Sequence, residues 1–333
     1  MADSTTMRLD EHPVAEILRA RRDDGSPLGA RRDPHTVALV IEGGGMRGVV
    51  SAGMVAALER LDLAGAFDLV VGSSAGALNG AGLLGGVAAD GPGVYAGPLA
   101  SREFINPARI LIGRPAVDLS YLLDYAAANF GHDAGPGAID RLAPLICVAV
   151  DVERAEPVAF SNFTTQQQLW NAMMATMRMP LFGGRPVEID GRRYIDGALA
   201  APVPLATALE AGATHVLVLQ TRPYGEPRTT NSRLAERLIE RHLRGINPVL
   251  ERMWRERAGV YEVLMDDIAR RSTEPGPQAP HVLGLRPPAG TPVIGQLERR
   301  PPVLDAAATA AGALVEAALG LSPVDDPSLR AAG

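Results

Sequence analysis

Two apolar runs early in the chain each end in a glycine-rich turn that leads directly into a helical pattern. The run HTVALVIEGGG continues into MRGVVSAGMVAALERLDL, and the run FDLVVGSSAG continues into the small-residue segment AGALNGAGLLGGVAA. Uninterrupted apolar runs are typical of strands buried on both faces, and strands that alternate with helices pair in parallel. The pattern predicts an α/β fold with a mostly parallel central sheet and helices on both faces.

Later segments extend this sheet and divide the chain. LICVAVDVERAEPVAF and VEIDGRRYID predict two hairpins, while THVLVLQ and HVLGL predict two further buried strands. We expect a polar, mobile N-terminal arm over residues 1–36, with at most one short helix. The main domain is expected over residues 37–222. Residues 223–333 are predicted to be a helical C-terminal extension packed on that domain.

Composition excludes several function classes. The 333-residue chain carries a net charge of −6 and contains no lysine, which argues against nucleic-acid binding and excludes P-loop or Schiff-base lysine chemistry. Cys147 is the single cysteine, so neither an intramolecular disulfide nor a cysteine zinc site is possible. We expect no cofactor and no metal. The N-terminus lacks the apolar core of a secretory signal, and the expected location is the cytoplasm, with peripheral contact at the inner membrane surface as an option.

The second glycine turn fits the pattern G-x-S-x-G. In this motif Ser74 is central and its neighbours are Gly72, Ser73, Ala75 and Gly76. A serine at a sharp strand-to-helix turn is exposed to substrate, and small neighbours let the two elements approach closely. Ser73 belongs to the strand side of the turn and is the poorer candidate. The context therefore indicates that Ser74 is a nucleophile.

The first glycine turn allows two interpretations. Gly43, Gly45 and Gly48 match the dinucleotide-binding pattern G-x-G-x-x-G, but that site needs an acidic residue at the end of the next strand. Asp68 lies at the start of that strand instead. The alternative is an oxyanion hole made of consecutive backbone amides. Because both glycine turns close strands at the same edge of the sheet, the oxyanion hole is favoured.

The proton acceptor is found by elimination. Among the histidines after Ser74, His215 and His281 precede strands and His242 lies in a charged helical pattern. His132, in an irregular stretch, is the reserve candidate. Asp196 follows a short strand in YIDGALAAPVP, whereas Asp190 is explained by a tight hairpin turn. We therefore expect Asp196 to meet the serine.

Three ordered motifs together resemble the patatin-like phospholipase family over roughly residues 37–222. They are Gly43-Gly44-Gly45-Met46-Arg47-Gly48, Gly72-Ser73-Ser74-Ala75-Gly76 and Asp196-Gly197-Ala198. The resemblance implies a lipid acyl hydrolase with a Ser–Asp dyad, in which Ser74 is the nucleophile and Asp196 the general base. It also implies an oxyanion hole formed by the amides of Gly44, Gly45 and Met46, with Arg47 fixing the loop. Met46 and Ala198 are small departures from the family pattern.

Two other functions remain open at this stage. A non-catalytic or regulatory lipid-binding protein could keep the same fold, and a histidine-dependent esterase would use one of the downstream histidines. Met173, Met174, Met177 and Met179 could line an acyl groove, although core packing explains most methionines at helical spacing. The amphipathic segment 233–258 carries surplus arginine and could contact anionic lipid, but a core helix is the favoured interpretation.

Overall fold

The fold is built on one eight-stranded sheet, in a computed structural model that describes residues 8–130, 142–180, 182–226 and 233–323. The strands are β1 (Val37–Ile41), β2 (Leu69–Ser73), β3 (Leu145–Asp151), β4 (Glu156–Phe160), β5 (Val187–Ile189), β6 (Arg192–Asp196), β7 (His215–Leu219) and β8 (His281–Leu285). Their order is β5-β6-β3-β2-β1-β7-β8, with β4 also paired to β3. Strands β3, β2, β1, β7 and β8 run parallel, whereas β4, β5 and β6 make antiparallel pairs. The predicted α/β fold with a mostly parallel sheet is confirmed.

Helices cover both faces of the sheet. They are α1 (Pro13–Asp24), α2 (Gly48–Arg60), α3 (Ala75–Leu84), α4 (Gly91–Ala96), α5 (Leu119–Phe130), α6 (Gln166–Thr176), α7 (Leu205–Glu210), α8 (Arg233–Ile246), α9 (Pro248–Thr273) and α10 (Pro301–Leu319). Alternate side chains of β1 enter two different cores. Leu39 and Ile41 pack with α2, α3 and α10, while Ala38 and Val40 pack with α7 and α9. This two-sided burial explains why β1 is apolar throughout.

The N-terminal segment is part of the core, so the expected mobile arm is wrong for residues 8–36. Val14, Ala15 and Leu18 of α1 are fully buried. Arg21, on the same helix, forms ion pairs with Asp33 at 2.9 Å and Asp68 at 2.7 Å. The high polar content of the segment concealed a narrow apolar face, and one of its arginines, Arg21, is buried in ion pairs.

The C-terminal extension contributes to the sheet as well as to the helical layers. Strand β8 pairs in parallel with β7, so residue 222 does not divide two separate folding units. Helix α10 is long and apolar enough to cross a membrane by length and composition. In this fold, Leu304, Ala311 and Val315 of α10 are buried in the core shared with α2. It therefore packs as a core helix.

Removing the Arg21 guanidinium tests the attachment of α1. We expect Arg21→Ala to lower the free energy of unfolding by about 3 kcal/mol, because it leaves the Asp33 carboxylate without its buried partner and leaves Asp68 paired with Arg31 alone. The control is Arg32→Ala, since the Arg32 side chain is 79% exposed in its pair with Asp24 and should change stability by less than about 1 kcal/mol. Urea unfolding measures both values, and equal losses would contradict a structural role for α1.

Candidate active site

Ser74 lies at the sharp turn between β2 and α3. Its backbone has φ 55° and ψ −126°, in the left-handed half of conformational space that a non-glycine residue adopts at a cost of about 1–3 kcal/mol. The flanking glycines make this turn possible. A Cβ atom on Gly72 would lie 2.4 Å from the Ala77 nitrogen, and one on Gly76 would lie 2.2 Å from the Ile41 oxygen. The predicted strained turn, with small residues at close approaches, is present.

The Ser74 hydroxyl donates a hydrogen bond to Asp196. Its Oγ lies 2.9 Å from Oδ2 of the carboxylate, and both residues are buried. Asp196 ends β6, where it pairs opposite Ala149 of β3. Its second oxygen, Oδ1, accepts a hydrogen bond from the Ala198 amide at 2.8 Å. The structure therefore brings together the two residues that sequence reasoning selected.

Burial dominates the electrostatics of Asp196. Desolvation raises the pKa of this carboxyl from 3.8 to about 7, while the hydrogen bonds from the Ala198 amide and the Ser74 hydroxyl act in the opposite direction. A carboxylate with such a pKa is a far stronger proton acceptor than an exposed aspartate and is still substantially ionised near neutral pH. The site therefore places the Ser74 hydroxyl against a carboxylate whose pKa suits proton transfer near neutral pH.

The first glycine turn packs against the serine turn. A Cβ atom on Gly43 would lie 2.5 Å from the Ser73 oxygen and 3.1 Å from the Ser74 Cβ. Gly45, Met46 and Ser74 line one cavity. This close approach leaves the loop facing the serine, which is the arrangement needed for an oxyanion hole.

One expected oxyanion donor is already engaged. The Met46 amide donates to the Gln296 carbonyl oxygen at 3.1 Å, so the expectation of a free amide there is wrong in this structure. Within the described ranges, the amides of Gly44 and Gly45 donate to no protein acceptor. These two amides are the available donors of the loop.

Arg47 is a buried cation beside the same loop. A Cβ atom on Gly44 would lie 2.8 Å from its terminal guanidinium nitrogen. Burial and the nearby charge of Arg222 lower the pKa of Arg47 to about 10, with Glu42 acting in the opposite direction. Arg47 therefore remains charged at neutral pH. Its packing against Gly44 agrees with the expected role of fixing the loop.

The candidate histidines that the structure describes lie away from Ser74. His215 and His281 begin β7 and β8, at the edge of the sheet opposite the glycine turns, and their rings lie 5.0 Å apart. His242 lies within α8. His132, the reserve candidate, lies outside the described residues. Asp190 and Gly191, both at positive φ, form the expected hairpin turn between β5 and β6.

Two cavities of different character adjoin the dyad. An apolar cavity of about 50 Å³ contacts Ser74. Leu78, Tyr95 and Leu122 line both this cavity and a second apolar cavity of about 140 Å³, and the two cavities together are called the apolar channel. On the other side, a cavity of about 370 Å³ is lined by Asp196 and by three arginines, Arg47, Arg222 and Arg257. The site therefore offers an apolar channel on the serine side and a cationic chamber on the aspartate side.

The predicted methionines pack in the core, line the cavities beside the dyad, or do both. Met173 and Met177 belong to the buried core and also line the apolar cavities. Met179 lines both the small apolar cavity and the cationic chamber. Core packing and cavity lining are therefore compatible here. In the amphipathic segment, Leu243 and Leu250 are fully buried, which confirms the core-helix interpretation for these residues.

Thr176 and Gln296 contact the two glycine turns, and the sequence analysis identified neither residue. The Thr176 hydroxyl accepts a hydrogen bond from the Ser74 amide at 2.8 Å and donates to the Val148 carbonyl oxygen. It thereby ties the serine turn to β3. Thr176 ends α6, 102 residues from Ser74 in the chain, and Gln296 lies in a loop with no recognisable motif. Neither position carries a local signal that could have identified it.

No metal centre is evident in the described part of the chain. It contains no group of three or more histidine, cysteine, aspartate or glutamate side chains placed to hold an ion. Cys147 is fully buried in β3, and burial raises the pKa of its thiol to about 12. The thiol is therefore a poor nucleophile and fits the expected structural role.

Replacing Asp196 tests the cost of burying its charge. A folded-state pKa of about 7, against 3.8 for the ordinary group, means that the contribution of Asp196 to stability is present at acid pH and is lost as the pH rises through about 7. The side chain of Asp196→Asn never ionises. We expect the free energy of unfolding of this variant, minus that of the native chain, to increase from pH 5 to pH 8 by on the order of 3 kcal/mol.

Urea unfolding at the two pH values measures this relative gain. The matched control is Asp190→Asn, because Asp190 is exposed in its hairpin turn and asparagine also adopts positive φ. If the stability difference between Asp196→Asn and the native chain is the same at both pH values, burial does not raise the pKa of Asp196.

Comparison with known proteins identifies the family of this chain. A family model described as patatin-like phospholipase matches residues 39–209, which is just over half of the chain. The Escherichia coli (strain K12) protein YjjU, described as uncharacterized, is 30% identical over 213 residues, a match that covers 60% of this chain and 56% of YjjU. The chain therefore matches little more than half the length of that relative.

Among solved structures, VipD from Legionella pneumophila matches with a TM-score of 0.49 and 13% sequence identity. That match covers 86% of this chain and 67% of the VipD chain. The family match confirms the resemblance seen in the three sequence motifs. This chain belongs to the patatin-like phospholipase family.

Proposed function

We propose that this protein is a serine acyl hydrolase that cleaves fatty-acyl ester bonds of lipids, with Ser74 as nucleophile and Asp196 as proton acceptor. The observation that carries the proposal is the 2.9 Å contact between the Ser74 hydroxyl and the buried Asp196 carboxylate at a strained turn. Membership in the patatin-like phospholipase family supports a lipid hydrolase. The apolar channel beside Ser74 supports an acyl substrate.

Acylation begins with proton transfer from the Ser74 hydroxyl to Oδ2 of Asp196. The Ser74 Oγ forms a bond to the ester carbonyl carbon, and the carbonyl electron pair moves to its oxygen. Collapse of this tetrahedral intermediate breaks the bond to the leaving alcohol, whose oxygen takes the proton from Asp196. The product of this half-reaction is an acyl-Ser74 ester and a free alcohol.

Deacylation repeats the sequence with water as the nucleophile. Water loses a proton to Asp196 as its oxygen attacks the acyl carbon. The Ser74 oxygen leaves and recovers its proton from Asp196, and the fatty acid is released. A single base with a pKa near 7 serves both directions of proton transfer, since it accepts a proton in one step and donates it in the next.

The negative oxygen of each intermediate is stabilised by backbone amides. Gly45 lines the cavity that contains Ser74, and the Gly44 and Gly45 amides donate to no acceptor among the described residues, so they are the donors proposed for this role. The N-terminus of α3 adds its dipole because Ser74 precedes it directly. Each oxyanion donor typically contributes about 10² to 10³ in rate. General-base catalysis contributes about 10² to 10⁴.

The two cavities suggest how a lipid ester would lie. The acyl chain enters the apolar channel beyond Leu78 and Tyr95, and the alcohol portion occupies the chamber on the Asp196 side. The dyad stands between them, where the ester bond would be. A non-catalytic lipid-binding protein would need the channel but has no use for a buried, destabilised carboxylate in contact with a strained serine.

Covalent labelling identifies the nucleophile. We expect a fluorophosphonate probe to label the native chain and to fail on Ser74→Ala, because the Ser74 hydroxyl at the strained turn contacts a carboxylate that can accept its proton. Ser73→Ala is the matched control, since the adjacent hydroxyl is buried without a hydrogen-bond partner among the described residues, and it should be labelled normally. Gel fluorescence measures the labelling, and persistent labelling of Ser74→Ala would refute the assignment.

The pH dependence of hydrolysis identifies the base. Because Asp196 must be ionised to accept the proton and burial raises its pKa to about 7, kcat/KM should rise with pH and level off above about pH 8. Initial rates on a chromogenic short-chain ester measure the profile. His132→Gln and His242→Gln should leave the acidic limb unchanged, whereas a limb that disappears in either variant would indicate a histidine-dependent esterase.

A further inference from the structure

Residues Ile110, Leu111 and Ile112 form an exposed aliphatic tip. They are 40%, 88% and 70% exposed, at the end of a short 3-10 helix over Pro107–Ile112. Single exposed aliphatic residues are common on protein surfaces, but three consecutive ones form an apolar patch that is costly in water. Such a patch indicates an apolar partner.

The tip is held in place by its base. Ile105 and Val117 form an antiparallel bridge across the loop, and the Asn106 amide donates to the Ala116 carbonyl oxygen at 2.8 Å. The Asn106 side chain caps the helix, and Gly113 ends it in a left-handed conformation. The protrusion is therefore an ordered turn. Backbone hydrogen bonds hold its base, and its aliphatic side chains are exposed at the tip.

Cationic residues flank the tip. Arg102 and Arg114 are exposed, and Arg109 lies 3.9 Å from Asp118. With Glu103 as the other acidic residue, the segment 102–118 carries three arginines against two carboxylates. An apolar tip with a basic surround is complementary to a bilayer with anionic headgroups.

The base of the tip is also a wall of the active site. Phe104 and Ile105 on one side, and Val117 and Leu119 on the other, line the apolar cavity that contacts Ser74. Only a few residues therefore separate the exposed tip from the channel. A lipid surface in contact with the tip would lie next to the route by which an acyl chain reaches the serine.

We propose that residues 107–114 are a membrane-docking tip that inserts into the surface of an anionic lipid bilayer, an inference that rests on the proposed function for its link to hydrolysis. Leu111 and Ile112 enter the headgroup region, and Arg102 and Arg114 contact phosphate groups. The tip thereby holds the apolar cavity beside Ser74 close to the bilayer surface.

Vesicle sedimentation of the full chain tests the tip. The probes are vesicles of phosphatidylcholine alone and of phosphatidylcholine mixed with phosphatidylglycerol. We expect the double variant Leu111→Ser, Ile112→Ser to bind the mixed vesicles at least about tenfold more weakly than the native chain. The matched control is Val260→Ser, Val263→Ser, which removes two aliphatic side chains of similar exposure from α9 and should bind normally.

Two further measurements separate the tip from the chemistry. Ser74→Ala should bind vesicles like the native chain, so vesicle binding is tested independently of the proposed hydrolysis. The tip variant should hydrolyse a soluble short-chain ester at the native rate while losing at least about tenfold in rate on mixed vesicles, because only delivery from the bilayer depends on the tip.

Three outcomes would overturn the proposal. The first is native-like vesicle binding by the tip variant, and the second is equal binding of the native chain to both vesicle types. The third is a native chain that ignores vesicles but self-associates through the tip, seen as dimers in sedimentation velocity that the tip variant loses. Loss of hydrolysis in every chain with vesicle binding intact would instead refute the proposed function and leave the docking surface standing.

Discussion

The hydrogen bond between Ser74 and Asp196 joins side chains that are 122 residues apart in the chain. It exists because β3 lies between the two strands: Ser73 of β2 pairs in parallel with Val148, and Asp196 of the antiparallel strand β6 pairs with the next residue, Ala149. The contact has an energetic cost. Ser74 occupies a strained backbone conformation and Asp196 is a carboxylate taken out of water. The surrounding sheet and helices must supply the stability that offsets both terms.

Hydrogen bonds to both residues, and glycines at the close approaches, hold this arrangement in place. The Thr176 hydroxyl fixes the Ser74 amide, and the Ala198 amide holds one oxygen of Asp196. Glycines at the close approaches of the two turns leave no room for a Cβ atom, so the turns can lie against each other. The result is a preorganised arrangement in which the proposed nucleophile and base are already in contact.

The surroundings of the dyad are strongly asymmetric. The serine side opens into an apolar channel, and the aspartate side opens into a chamber lined by arginines. Within this chamber Arg47 is buried, which lowers its pKa to about 10 against the opposing effect of Glu42, and it stays charged at neutral pH. The Gln296 carbonyl, which accepts from the Met46 amide, comes from the loop between β8 and α10. The C-terminal extension therefore takes part in shaping the site.

The sequence by itself determined the sheet, the two glycine turns and the choice of Ser74 and Asp196, because these depend on local patterns: apolar runs, turn glycines and a small-residue serine motif. The sequence did not predict that α1 is part of the core. Its three fully buried apolar side chains and one buried arginine are too few to distinguish this segment from a polar arm. Thr176, Gln296 and the engaged Met46 amide were decided only by tertiary structure. Each of these contacts joins segments far apart in the chain, and a local pattern carries no information about which distant group it will meet.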